Sequence, residues 1–117
     1  MSITRNHSTD RMSQCVVHGD TVYLAGQVPH DFSGDIKTQT AEVLSKIEGL
    51  LAEVNSDKTQ ILSTTIYIKH ISDFAAMNEV WDAWVADSPK PARACVEANM
   101  AAPDILVEIC VIAAVKS

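Results

Sequence analysis

The feature that most constrains the fold is an apolar run near the C-terminal end, Leu106 to Val115, in which Glu108 is the one charged residue. Alternate residues of a β-strand point to opposite faces of a sheet, so a strand that is apolar almost throughout is typically buried on both faces. The sequence predicts two helices, which together can cover one face. We therefore expect other copies of the chain to cover the second face, as an obligate homo-oligomer. The alternative is a monomer that leaves an apolar face exposed, which favours aggregation.

Four further segments rich in β-branched and apolar residues predict strands. They are Met12–His18, Thr21–Gln27, Ile61–Ile68 and Ala92–Asn99. Gly19-Asp20, between the first two of these strands, is typical of a two-residue hairpin turn. Pro29–Lys37 predicts a loop.

The two helices are predicted from apolar residues at intervals of three and four. The first spans Thr38–Val54, and the second begins after a cap at Ser72 or Asp73 and ends before Pro89. The second helix has an apolar stripe that consists of Phe74, Met77, Trp81 and Trp84. The predicted order is ββαβαββ in a single α+β domain, residues 1–117, with one sheet and two helices on one face.

Length and charge exclude several classes of protein. The net charge of −6 disfavours nucleic acids and anionic membranes, which both attract basic surfaces. The stretch Met1–Asp10 lacks the apolar core of a signal peptide, and no apolar run is long enough to span a bilayer, so we expect a cytoplasmic protein.

The cysteines are Cys15, Cys95 and Cys110, and their odd number and spacing predict free thiols. The four histidines lack the spacing of metal ligands, so we expect no metal.

Arg93 and Glu108 stand out as charged residues in the two C-terminal strands. We expect these strands to be antiparallel neighbours, which would bring both side chains to the same end of one cleft. A guanidinium can bind a carboxylate through two hydrogen bonds, and a nearby glutamate can hold a water and transfer protons. The pair therefore suits hydrolysis of a small carboxylate-bearing molecule. A structural ion pair between the two strands is the alternative, and the spacing alone favours it.

Other candidate residues have weaker signals. Cys95 shares the face of Arg93, and without a histidine marked as its base it is better explained as a small buried thiol than as a nucleophile. Trp81 and Trp84 are typical of a core or an interface more than of a stacking platform. Asn78 could reach a pocket or cap a turn, and Gly26 could let a backbone N–H approach a ligand or mark a bulge.

Several segments together resemble the RidA/YjgF family of reactive intermediate deaminases. They are Gly19–Gln27 (GDTVYLAGQ), Asp73–Val80 (DFAAMNEV), Pro91–Glu97 (PARACVE) and Val107–Ala113 (VEICVIA). The resemblance extends from about Met12 to Val115, with the segments in the family's order. It implies a chorismate-mutase-like fold and a homotrimer with three clefts at the subunit interfaces.

The same resemblance implies hydrolysis of 2-imino or 2-enamino acids to 2-oxo acids and ammonia, without a cofactor. Arg93 would bind the substrate carboxylate, and Glu108 would position the attacking water or move protons. Cys95 and Asn78 would line the pocket, and Gly26 would contribute a backbone contact. A non-catalytic, carboxylate-binding or regulatory trimer is the alternative function.

Two positions depart from the family pattern. Met12 stands where many members have a tyrosine, and Ala25 stands where many have a serine. These departures indicate a branch other than that of the aminoacrylate deaminases, so the resemblance implies a substrate class and not a particular substrate.

Overall fold

A single six-stranded sheet with two α-helices is described for residues 2–117 by a computed structural model. The strands are β1 (Ile3–Ser8), β2 (Ser13–His18), β3 (Thr21–Leu24), β4 (Ile61–Ile68), β5 (Ala92–Glu97) and β6 (Val107–Ala114). The helices are α1 (Ile36–Ala52) and α2 (Phe74–Trp84), and single 3-10 turns span Lys58–Gln60 and Ile71–Asp73. The α+β class, with one sheet and two helices, is confirmed.

The strand order in the sheet is β1-β2-β3-β6-β4-β5. All neighbours are antiparallel except β4 and β5, which are parallel and are connected through α2. A parallel pair requires such a crossover, whereas the hairpin at Gly19-Asp20 joins antiparallel strands directly. The expectation that β5 and β6 are neighbours is therefore wrong, because β4 lies between them.

The N-terminal strand β1 was not predicted, so the element order is βββαβαββ and not ββαβαββ. Its sequence, ITRNHS, has one apolar residue and no alternation that would indicate a strand. β1 forms an edge of the sheet, and its side chains are mostly exposed. Backbone hydrogen bonds to β2 hold this segment in the sheet, although its side-chain pattern does not indicate a strand.

Helix α1 begins two residues earlier than predicted, because Asp35 caps it by accepting a hydrogen bond from the Thr38 N–H at 2.9 Å. Its apolar stripe is buried and includes Val43, Leu44 and Ile47. Asp73 occupies the cap position of α2 but makes no side-chain cap hydrogen bond. Within residues 2–117, neither helix is long and apolar enough to cross a membrane.

The two faces of the sheet differ in their cover. The face beneath α1 and α2 forms the core, in which Val22, Ile66 and Ile109 are fully buried. On the other face, Tyr23 and Ile112 are paired across neighbouring strands, and both are exposed. The open face thus carries exposed apolar residues of β3 and β6, as the apolar C-terminal run predicted, while the helices cover the other face. The homo-oligomer that would cover the other stays a prediction.

Candidate active site

Arg93 lies on the edge strand β5, and its side chain points to the face that carries the helices. Its register partner on the neighbouring strand β4 is Thr64, whose side chain is buried on that face. Its Nη1 donates a hydrogen bond to the Asn78 Oδ1 at 2.7 Å. Within residues 2–117, Arg93 forms no ion pair with a carboxylate and no second side-chain hydrogen bond. The alternative of a structural ion pair between Arg93 and Glu108 is therefore wrong in this chain.

Two aromatic rings of α2 flank the same guanidinium. Its Cζ lies 5.5 Å from the centre of the Trp81 ring and 5.9 Å from the centre of the Phe74 ring. Phe74, Asn78 and Trp81 are spaced by four and three residues, so they share one side of the helix. These three side-chain contacts of Arg93 thus all come from α2.

Glu108 lies on β6, with its side chain on the open face of the sheet. It is in register with Tyr67 of β4. The side chain packs against Gly26, because a Cβ at position 26 would lie 2.9 Å from the Glu108 Cδ and 3.1 Å from its Cγ. The adjacent pair, Gln27 and Ile109, exchanges two backbone hydrogen bonds of 2.9 and 3.0 Å and holds the two segments together. Gly26 is therefore explained by close approach to Glu108.

Within one chain, Arg93 and Glu108 do not face each other. Arg93 is in register with Thr64 and Glu108 with Tyr67, three positions apart on β4. Since side chains alternate along a strand, positions an odd number apart lie on opposite faces. The expectation that one chain brings both residues to the same end of a cleft is wrong, because it assumed that their strands were neighbours.

The five predicted site residues thus form two groups on opposite faces of the sheet. The arginine half-site comprises Asn78, Arg93 and Cys95, and the glutamate half-site comprises Gly26 and Glu108. Asn78 and Arg93 are in contact, while Cys95 follows two positions along the same face of β5.

The thiol of Cys95 is not activated by its surroundings. Burial raises its pKa, and the charge of Arg93 opposes that rise as the smaller effect. A raised pKa leaves the group a neutral thiol near neutral pH, which is a poor nucleophile. This agrees with the interpretation of Cys95 as a small, partly buried side chain.

Sequence reasoning missed two neighbours of the half-sites. Phe74 was predicted to be part of the apolar stripe of α2, yet its side chain is exposed and lies beside Arg93. Its spacing from Asn78 and Trp81 could have indicated that the three residues share one side of the helix. Cys110 lies two positions beyond Glu108, on the same face of β6. Burial and, secondarily, the charge of Glu108 raise the pKa of the Cys110 thiol.

A cavity of about 400 Å³ lies apart from both half-sites, between α1 and the strands β1 and β2. Its lining includes His7, Gln27, His30, Lys46 and Glu53. Its polar groups contact one another, as when His7 Nε2 lies 2.6 Å from the Glu53 Oε1. Among residues 2–117, no three His, Cys, Asp or Glu side chains are grouped so that they could hold a metal ion.

The fold and the half-sites define a small α+β protein with one sheet, two helices on one face and, on an edge strand, an arginine that is held by Asn78. The chain belongs to the family described as Endoribonuclease L-PSP, whose model matches residues 3–115. A RutC family protein of Haemophilus ducreyi is 44% identical over 114 residues, which cover 97% of each chain. The RutC family protein YoaB of Escherichia coli is 41% identical over 115 residues, 98% of this chain and 100% of the relative.

Solved structures agree with this assignment. A member of the YjgF protein family from Neisseria meningitidis superposes with a TM-score of 0.96 at 43% identity, covering 100% of this chain and 98% of the other. The Rid family protein YyfA from Yersinia pestis gives a TM-score of 0.86 at 32% identity, with coverage of 92% and 90%. The predicted RidA/YjgF family is thereby confirmed.

Proposed function

We propose that this protein hydrolyses reactive 2-imino and 2-enamino acids to 2-oxo acids and ammonia. The observation that carries the proposal is the state of Arg93, a guanidinium held by Asn78 and without a carboxylate partner within residues 2–117. One N–H is used by Asn78, and the others are left to bind a planar carboxylate in a two-point contact. Membership of the RidA/YjgF family supports the same substrate class.

The active site is formed between copies of the chain in a homotrimer. Because Arg93 and Glu108 lie on opposite faces of one sheet, a cleft that uses both takes Arg93 from one subunit and Glu108 from a neighbour. The exposed apolar face around Tyr23 and Ile112 supports association, since such a surface is costly to leave in water. Three equivalent clefts follow from three-fold symmetry.

The reaction needs orientation and one proton relay. Arg93 binds the substrate carboxylate and so fixes the position of the adjacent imine carbon. A water molecule that gives a proton to Glu108 adds to this carbon, and the imine nitrogen takes up a proton. The hydroxyl proton of the resulting aminoalcohol then passes through Glu108 to the amino nitrogen, the C–N bond breaks, and ammonia leaves as the carbonyl of the 2-oxo acid forms. An enamino acid first gains a proton at its β-carbon and loses one from its nitrogen, which gives the imine.

Gly26 has a second use in this scheme. Its N–H donates no hydrogen bond within residues 2–117, and it lies beside the Glu108 side chain. A backbone donor at this position can bind the substrate opposite Arg93. Cys95 lines the cleft as a neutral thiol, because burial raises its pKa, and no covalent intermediate is required.

An RNA-cleaving activity is the function that the family description names. The net charge of −6 opposes it, because affinity for a phosphate backbone depends on basic residues. Assaying RNA cleavage and imine hydrolysis in the same purified fractions distinguishes the two activities. Nuclease activity that follows the protein through purification, without imine hydrolysis, would replace our proposal.

The deaminase activity is tested by generating imino acids with an amino acid oxidase and trapping them with semicarbazide. The wild-type protein should slow semicarbazone formation. The variant Arg93→Ala should lose about 10- to 150-fold in rate, the equivalent of about 1.5–3 kcal/mol for hydrogen bonds to a charged group. Arg93→Lys keeps the charge but not the two-point geometry, so it should recover little. Arg5→Ala, which removes an exposed arginine of β1, is the matched control and should behave as wild type.

The outcome also separates the alternative function. If the wild-type protein did not slow semicarbazone formation from small, branched or basic amino acids, a deaminase activity would be ruled out. If the wild-type protein then bound 2-oxo acids and returned them unchanged, with Arg93→Ala failing to bind, a regulatory or carboxylate-binding trimer would be the better description.

A further inference from the structure

We propose that Phe74 and Trp81 are positioning residues, which hold the Arg93 guanidinium through its interaction with their ring faces and so preset it for the substrate. The rings lie 5.9 and 5.5 Å from the Arg93 Cζ, within the range at which a cation is attracted to an aromatic ring. The inference rests on the proposed function, since it concerns how the substrate-binding arginine is held.

The long side chain of Arg93 would otherwise be mobile. It lies on an edge strand whose side chains are mostly exposed, and its one hydrogen bond goes to Asn78. An arginine with several free torsions loses conformational entropy when it is immobilised, and that loss weakens binding of the ligand. Rings that already restrict the guanidinium reduce the loss at the moment the substrate binds.

The Trp81 ring is itself fixed from behind. Its centroid lies 5.5 Å from that of Trp84, at an interplanar angle of 49°. Trp84 in turn contacts Lys58, whose Nζ donates to the Trp84 carbonyl oxygen at 2.7 Å and lies 5.6 Å from its ring centre. The ring beneath Arg93 therefore belongs to a packed row and provides a rigid support.

Core packing accounts for Trp81, which is 5% exposed, but not for Phe74, which is 40% exposed. A large aromatic side chain that stays in solvent at the start of a helix contributes little to a hydrophobic core. Its contact with the Arg93 guanidinium is the specific interaction that the structure gives it. Phe74 is therefore the informative position for a test, because its replacement leaves the core intact.

Removing the ring should weaken substrate binding more than it slows chemistry. An arginine that is less well preset binds the carboxylate less tightly in both the ground state and the transition state, which raises KM and leaves kcat nearly unchanged. We expect Phe74→Leu to raise KM about 3- to 10-fold, in the range of exposed to partly buried cation–π contacts. Phe74→Tyr keeps an aromatic face and should restore KM to near the wild-type value.

A graded series separates the cation–π contact from simple bulk. Phenylalanine analogues with one, two and three ring fluorines at position 74 weaken the negative ring face while changing its size little. A steady rise of log KM with fluorine number is the expected result. A flat series would overturn the proposal even if Phe74→Leu raised KM, because a merely steric role depends on the volume of the side chain and not on the charge of its ring face.

A measurement that needs no activity keeps this test distinct from that of the proposed function. The Arg93 side-chain Nε signal can be assigned through its loss in Arg93→Lys, and its relaxation reports motion of the guanidinium. Phe74→Leu should increase that motion, while Ile71→Ala, at another exposed apolar residue just before α2, should not. Unchanged motion in Phe74→Leu would refute the positioning role. Increased motion in a protein without deaminase activity would reject the proposed function alone.

The buried partner is tested by a milder change. Trp81→Phe keeps a ring but removes part of the core, so its unfolding must be measured beside its KM. We expect Trp81→Phe to raise KM under conditions in which the variant is fully folded, since tryptophan gives the strongest cation–π contact. A folded Trp81→Phe variant with wild-type KM and wild-type Arg93 motion would confine the role to Phe74 and contradict the two-ring proposal.

Discussion

Gly26 and Glu108 are in contact between the end of β3 and the strand β6, and the glutamate fills the space that a side chain at position 26 would need. The glycine is not required by backbone conformation: within residues 2–117, the one glycine with a positive φ is Gly19, at 62°. Close approach of a carboxylate is thus what makes position 26 a glycine. The contact fixes where the Glu108 carboxylate lies on the open face of the sheet.

Gly26→Ala should therefore impair activity with little effect on folding. The new methyl group displaces the end of a flexible side chain, which can move at a cost of less than about 1 kcal/mol in free energy of unfolding. Moving the proposed proton acceptor by about 1 Å should lower kcat about 10- to 100-fold. Urea unfolding and the semicarbazide assay measure the two effects.

Gly49→Ala is the matched control for this variant. Position 49 lies in α1, and apart from its chain neighbours and the adjacent helix backbone no atom of residues 2–117 would lie within 4 Å of a Cβ there. Alanine in place of an exposed helical glycine should stabilise the fold by about 0.5–1 kcal/mol, with wild-type activity. Full activity in Gly26→Ala would show that the position of Glu108 does not matter.

A mixture of two inactive variants should recover activity if each cleft takes Arg93 and Glu108 from different subunits. In trimers formed from equal amounts of Arg93→Ala and Glu108→Gln, about a quarter of the clefts should have both wild-type residues. Trimers of either variant alone should have no cleft with both wild-type residues. The subunits are mixed by joint refolding, and activity is compared with that of each variant refolded by itself. No recovery, with mixed trimers confirmed by mass spectrometry, would contradict the shared cleft.

The sequence predicted the elements that have a strong local residue pattern and missed the long-range relationships that no local pattern determines. Helix α1 was predicted from its apolar periodicity and the strand β4 from its β-branched residues, and both lie close to their predicted bounds. The strand β1 escaped prediction, since its side chains are mostly exposed and backbone pairing with β2 holds it in the sheet.

The candidate site was predicted residue by residue but not in its arrangement. Arg93 and Glu108 were singled out as charged residues in the two C-terminal strands, and these strands were wrongly expected to be neighbours. The strand β6 lies between β3 and β4 and not beside its predecessor β5, and no local pattern reveals this long-range pairing. The contact between Phe74 and Arg93 follows from the same long-range placement.

Thr64→Val should stabilise the protein. Thr64 is 1% exposed, and its Oγ1 lacks a hydrogen-bond partner within residues 2–117. Valine has nearly the same shape without the unpaired hydroxyl, so the free energy of unfolding should rise by about 1 kcal/mol. Thr64→Ser keeps the hydroxyl, loses a buried methyl group and should be less stable than wild type. Urea unfolding at one protein concentration measures both, and a less stable Thr64→Val would mean that the hydroxyl has a partner.

Asp57→Asn should remove a pH-dependent part of the stability. The carboxylate accepts hydrogen bonds from Thr59 and lies 2.9 Å from the Lys116 Nζ. The Thr59 hydroxyl, followed by Lys116, lowers the pKa of Asp57 from 3.8 to about 2. Because the folded state has the lower pKa, this contribution is fully present above the unfolded value and is lost as the pH falls towards about 2.

The wild-type protein should accordingly be more stable than Asp57→Asn by a constant margin above about pH 5, and the margin should shrink on acidification. Unfolding by urea at intervals from pH 6 to pH 3 measures it. Asp87→Asn serves as the control: its side chain is 85% exposed and its carboxylate lies 3.7 Å from the Lys58 Nζ, so its loss should change stability little. If the difference in free energy of unfolding stayed constant down to pH 3, the ionised Asp57 would not stabilise the turn. Its hydrogen bonds to Thr59 and Lys116 would then be no more favourable than hydrogen bonds to water.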